Sequence, residues 1–221
     1  MALESSRSAL VLIEFQNEFT SEGGKLYESV KECIELKDEN DLNMLDRSTK
    51  LLNEARELGL NIVHVPISFE SDYHELKDGN FGILAGIKEN KFFESGTWGS
   101  EIYEPMAPAK GEIVIKGKKG LCAFNTTNLD FILKQNGIDT LILAGFLTNC
   151  CVDSTMRAAY ELGYNVLTVA DCTATNNLEA QIATVQHTFP LFSIPISHDN
   201  LLKNINDFIS TKTQSVEEQA V

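Results

Sequence analysis

The sequence predicts a three-layer αβα fold with a mostly parallel central sheet. Two observations carry that prediction. Short, continuously apolar runs bounded by turn residues recur along the chain, and stretches of helical apolar spacing lie between them. Strands that are apolar throughout are buried on both faces, which is the pattern of βαβ units whose helices cover a parallel sheet. No stretch of the 221 residues repeats or reads as a linker, so residues 1–221 are expected to form one domain.

The first element is a strand. Residues 10–13 (Leu-Val-Leu-Ile) are too short for a helix and suit a buried strand. Over 41–58, Leu42, Leu45, Leu51, Leu52, Ala55 and Leu58 fall near helical spacing, and Gly59 stops the helix. A β-branched strand at 61–65 is closed by Pro66. Residues 68–108 are irregular and rich in glycine and aromatics, which reads as a functional lid with short helices of its own. A third strand spans 112–115. Thr127 and Asp130 have capping-box spacing and open a helix that ends near Gly137. A fourth strand covers 140–144, a helix 151–162, a fifth strand 165–170, a helix 178–187, a short strand 192–195 and a last helix 200–209. The polar tail 211–221 is expected to fray.

Composition removes several functional classes. Apolar residues make up 43% of the chain, too many for bulk disorder. The net charge of −14 disfavours nucleic-acid backbones and anionic membrane surfaces, which need a basic footprint. A small anionic substrate stays open, because a local site can be positive on an acidic protein. No apolar run approaches the ~18 residues of a membrane span, and the N-terminal apolar stretch is too short for a signal-peptide core. Five cysteines without a CxxC pair point away from a disulfide framework or structural zinc and toward reduced thiols in the cytoplasm.

In parallel sheets of this kind the site lies at the carboxyl ends of the strands, near a topological switch point. Three such ends carry reactive groups: Glu14 after the first strand, Lys116, Lys118 and Lys119 after the third, and the segment Gly145–Cys151 after the fourth. Cys151 sits at a predicted helix start, where the dipole and free N–H groups lower a thiol pKa. A carboxylate can take the thiol proton and an ammonium can steady the charges that form. The plainer reading of Cys151 is a small buried hydrophobe, and that of Lys118 a solvated loop lysine with Lys116 as competitor.

At these residues the chain resembles the isochorismatase-like cysteine hydrolases, over about residues 9–209. The stretch Ala9–Phe19 resembles the family's first motif, with Glu14 where Asp is usual. Lys118, six residues before Phe124, matches the family's lysine. Gly145-Phe146-Leu147-Thr148-Asn149-Cys150-Cys151-Val152 matches the nucleophile loop. The resemblance implies catalytic roles for Glu14, Lys118 and Cys151, an oxyanion hole from the backbone N–H groups of Leu147 and Cys151, and a cis peptide between Phe146 and Leu147. It implies a Rossmann-like hydrolase that forms a dimer or tetramer and cleaves a small amide through a Cys thioester.

Phe19, Trp98 and Phe146 are the candidate substrate-binding residues. Phe92 and Phe93 lie with Trp98 in the lid, and Phe19, Phe92, Phe93 and Trp98 have lid core as their plainer reading. No metal and no cofactor is expected. Asp72 and His74, together with His64, form the competing metal-ligand set. The rival functions are enol-ether hydrolysis of the isochorismatase type, a catalytically weak binding member suggested by Glu14, and a redox role for the Cys150–Cys151 pair.

Overall fold

A computed structural model describes residues 4–204. Strand β1 (Ser8–Ile13) leads into a one-turn helix α1 (Asn17–Thr20), then α2 (Tyr27–Ile34) and α3 (Met44–Glu57). Strand β2 (Asn61–Val65) opens the lid segment, which holds α4 (Ile83–Asn90). Strand β3 (Ile113–Val114), α5 (Leu129–Gln135), β4 (Thr140–Phe146) and α6 (Asp153–Glu161) come next. Strand β5 (Asn165–Ala174), α7 (Leu178–Ala183), α8 (Phe189–Phe192) and β6 (Ile194–Ile196) complete the named elements, and residues 198–204 are helical.

All six strands are parallel, in the order β3-β2-β1-β4-β5-β6. The chain builds outward from β1 to one edge, then returns beside β1 and builds to the other. The reversal between β1 and β4 is the switch point where such sheets bind ligands. Alternation along β1 fills two separate cores. Leu10 and Leu12 pack with Val30, Leu51 and Leu52 of α2 and α3. Ala9, Val11 and Ile13 pack with Leu129, Leu133 and Met156 of α5 and α6. Helices therefore cover both faces of the sheet, and the expected three layers are present.

Several boundaries differ from the sequence reading. The stretch 15–40, to which that reading gives no element, contains α1 and α2. The buried Val30, Cys33 and Ile34 lie on one face of α2 at the i, i+3, i+4 spacing that marks it. The third strand is two residues long rather than four. The helix expected from Thr127 begins at Leu129: Thr127 Oγ1 accepts from the Leu129 N–H at 3.0 Å, while Asp130 turns to the Tyr164 hydroxyl at 2.9 Å and to Lys134 instead of closing a capping box. The helix expected over 151–162 starts at Asp153, behind a single π turn at Thr148–Val152. The helix expected over 178–187 stops at Ala183 and passes through a second π turn, Thr184–Thr188. The end of the last predicted helix and the tail 211–221 lie outside the described residues.

Candidate active site

The first site residue is placed by strand β1. Ile13 pairs with Val65 on one side and Gly145 on the other, and Glu14 comes next at φ +55°, a left-handed turn that an L-residue adopts only when its surroundings fix it. Its N–H still bonds the Val65 carbonyl at 3.1 Å, and its carboxylate is buried. Close approach of the neighbouring strand requires Gly145: at φ +127°, a Cβ there would stand 1.9 Å from the Ile13 carbonyl oxygen.

Lys118 comes from the loop after β3. It is 1% exposed, whereas the competing Lys116 is exposed. Its Nζ donates to Glu14 Oε1 and to the Gly120 carbonyl, the latter at 2.7 Å. Burial alone would push the ammonium down; the neighbouring Glu14 carboxylate and the Cys151 sulfur outweigh it and hold Lys118 above its ordinary value. Lys118 is therefore held as the ammonium.

Cys151 sits within the π turn after β4, reached through a cis Phe146–Leu147 peptide. The Leu147 carbonyl takes the Cys150 and Val152 N–H groups at 3.0 and 3.1 Å, and the Cys151 N–H between them is not engaged by that carbonyl. The thiol is buried and contacts Cys150 Sγ at 4.0 Å. Here the structure corrects the expectation of a dipole-lowered thiol. The hydrogen bond to Cys150, burial and the Glu14 charge all favour the neutral form, and the Cys151 pKa lies well above its ordinary value. Cys150, on the accepting side of that bond, is lowered.

Glu14 and Cys151 line one cavity of about 190 Å³, closed by Phe19, Ile67, Ile87, Phe93 and other apolar side chains. Of the three candidate substrate-binding residues, Phe19 lines this cavity. Phe146 does not: it lies behind, its ring stacked on Phe19 at 5.0 Å. Trp98 is not a lining residue either. It is half exposed, near Gly23, and contributes only its carbonyl, which accepts from Asn17 Nδ2 at 2.9 Å. An aromatic in a glycine-rich segment carries no periodicity to say which way it faces.

The sequence reading missed the residues that hold the lid over this cavity. Gln16 Nε2 donates to the Ile67 and Ser100 carbonyls at 2.8 and 2.7 Å, and its Oε1 accepts the Ile67 N–H. Buried Glu18 accepts the N–H groups of Lys25 and Phe93. The one available signal was their position directly after Glu14. The lining residues Leu26 and Ser29 were missed with α2.

The competing metal set does not converge. Asp72 and His74 bond each other at 2.7 Å on the surface, and His64 bonds Glu112 at 2.7 Å inside the protein. Among the described residues no group of three or more His, Cys, Asp or Glu is placed to hold an ion.

A doubly covered parallel sheet gathers a thiol, a carboxylate and an ammonium at its switch point, an arrangement suited to a three-layer αβα hydrolase. The isochorismatase domain model matches residues 8–200, and the chain belongs to that family. Relatives named ureidoacrylate amidohydrolase RutB include one from Variovorax paradoxus (strain S110), 30% identical over 186 residues, covering 78% of this chain and 71% of that one. Another, from Rhizobium rhizogenes, is 26% identical over 234 aligned residues, covering 100% of this chain and 89% of the relative. Among solved structures, a cysteine hydrolase from Pseudomonas syringae pv. phaseolicola 1448A has a TM-score of 0.78 at 19% identity, covering 94% of this chain and 96% of that one, which shows the shared fold. N-carbamoylsarcosine amidase from Thermoplasma acidophilum has a TM-score of 0.66 at 24% identity, covering 87% of this chain and 97% of that one.

Proposed function

We propose that the protein hydrolyses the C–N bond of a small amide or urea through a thioester on Cys151. The observation that carries this reading is one buried cavity lined by both a thiol and a carboxylate, the carboxylate held from below by a buried ammonium. The amidohydrolase names of the relatives support the same bond class.

The steps are dictated by the charges. Glu14 takes the Cys151 proton as the sulfur attacks the carbonyl carbon, so no net charge enters the apolar cavity. The resulting oxyanion lies against the N–H groups of Leu147 and Cys151. The C–N bond breaks as Glu14 returns the proton to the leaving nitrogen, and ammonia or amine departs. Water then loses a proton to Glu14 and attacks the thioester, releasing the acid and restoring the thiol. Lys118 donates to Glu14 and orients it. Enol-ether hydrolysis would leave Cys151 without a role.

The test is mass spectrometry after exposure to a panel of small amides and ureas. An acyl adduct mapped to Cys151, absent in Cys151→Ala, is the expected result. Amine release that survives Cys151→Ala overturns the mechanism.

A further inference from the structure

The electrostatics of the cavity restrict its substrate. Among the described residues, Glu14 is the one charged side chain that lines the cavity. Its polar lining is otherwise the Cys151 thiol, Ser29 and Asn176, the last two exposed at its outer rim. The interior wall is made by apolar groups such as Phe19, Ile87 and Phe93. The lysines around the lid do not line the cavity: Lys77 and Lys91 are exposed, and three others bond groups outside it. Lys25 donates to the Lys91 carbonyl, Lys88 to the Leu76 carbonyl and Asp78, and Lys119 to the Ser68 carbonyl and Glu75. Lys118, the nearest cation, is shared between Glu14 and the Gly120 carbonyl.

A carboxylate on the substrate would therefore leave water for an apolar wall, meet no cationic lining side chain among the described residues, and approach Glu14 on a chain of net charge −14. A buried charge without a partner is strongly disfavoured, whereas an apolar substituent is favoured by the same wall. Resting on the amide reading of the site, we infer that the enzyme takes neutral amides or ureas bearing a small apolar substituent and discriminates against carboxylate-bearing ones. This separates it from the relatives named for ureidoacrylate, an anion. At about 190 Å³ the cavity is also smaller than the roughly 300–1,000 Å³ of sites for drug-sized ligands.

The test compares hexanamide with adipic acid monoamide, which match in chain length and differ by the terminal carboxylate. Ammonia release should show kcat/KM for hexanamide higher by about 100-fold, mostly through KM, as expected for one uncompensated charge at a buried site. Calorimetric titration of Cys151→Ala with the same two compounds should rank them in the same order without turnover. Ile83→Arg, at the half-open rim of the cavity, should move the ratio at least about 10-fold toward the monoamide. Equal or better binding and turnover of the monoamide overturns the inference, as does a ratio that Ile83→Arg leaves unmoved. If neither compound releases ammonia yet calorimetry still favours hexanamide, the hydrolytic reading falls and the inference about the cavity stands.

Discussion

Two glutamates beside the central sheet have opposite surroundings. Glu112, just before β3, is saturated: Arg56 Nε and Nη2 donate to it at 2.6 and 3.1 Å, His64 Nε2 at 2.7 Å and the Ala109 N–H at 2.9 Å. Burial alone would raise its pKa, but these donors pull it down to about 2. The Glu14 carboxylate, by contrast, has a hydrogen bond from Lys118 alone among the described residues, and it faces a cavity. A carboxylate whose lone pairs are all engaged is a fastener. One held at a single point keeps an oxygen free to receive a proton. The two carboxylates differ in how many donors surround them and in whether they face a cavity.

The largest expected effect breaks this comparison directly. Glu14→Gln keeps the size of the side chain and removes the base, so amide turnover should fall by about 10³-fold or more. Glu112→Gln should leave kcat/KM within about 3-fold, because it touches no part of the cavity. Steady-state ammonia release on one accepted amide measures both. Comparable losses in the two variants would show that the assignment of roles is wrong.

Next in size is the removal of Lys118. Lys118→Met strands the Glu14 carboxylate in an apolar site, a change that typically costs about 3 kcal/mol or more. Denaturant unfolding should show that loss, together with a rate near background. Adding Glu14→Gln to Lys118→Met should recover most of the stability and none of the rate. If the double variant is as unstable as the single, Lys118 acts through packing rather than through the charge it neutralises.

Local signals made part of this site legible in the sequence. The apolar runs ending at Ile13 and Ala144 marked Glu14 and the Gly145–Cys151 loop as strand-end residues, and strand ends are where this class of sheet does its chemistry. Lys118 is placed by a loop that has no periodicity, and only its resemblance to a motif singled it out from Lys116. The lid was illegible for a different reason. It is held by Gln16, Asn17 and Glu18 reaching residues 51 to 84 positions away, and no spacing rule anticipates such contacts. Trp98, which does not line the cavity, sits in a glycine-rich segment with no periodicity to say which way it faces. The thiol's acidity was misread because it depends first on the hydrogen bond to the adjacent Cys150, then on burial and on Glu14, not on the helix start alone.

Acid titration sharpens the comparison from the structural side. Glu112 has a folded pKa near 2 against an ordinary 4.5, so its stabilising effect is fully present above about pH 4.5 and is lost as pH falls toward about 2. Glu112→Gln should therefore lower stability by about 2 kcal/mol at pH 7, with the gap to wild type shrinking below about pH 4.5. Thermal unfolding across pH 2–8 checks it. A gap that stays constant would mean that Glu112 is not held ionised by Arg56 and His64.

Shortening Glu14 is gentler than neutralising it. The left-handed turn at residue 14 sets the carboxylate to reach Lys118 with the full length of glutamate. Glu14→Asp withdraws it by about an ångström, and oriented proton transfer should lose roughly 10- to 100-fold in rate. An increase in rate would mean that the site is not built around glutamate.

The smallest expected effect concerns the paired thiols. Cys151 donates to Cys150 at 4.0 Å, and that bond, with burial and Glu14, raises the Cys151 pKa while lowering that of Cys150. In the resting protein iodoacetamide should therefore label the half-buried Cys150 before the buried Cys151. Cys150→Ala removes the acceptor that favours the protonated thiol. The Cys151 pKa then falls, a larger fraction is thiolate at any given pH, and the midpoint of its alkylation profile moves down. Turnover should change by less than about 3-fold, because in the substrate-bound site the proton goes to Glu14 rather than to solvent and that route is untouched. Peptide mapping after timed labelling across the neutral to alkaline range reads the midpoint. An unchanged or upward-moving midpoint would mean that the Cys150 contact does not hold the Cys151 proton, leaving Glu14 and burial to account for it.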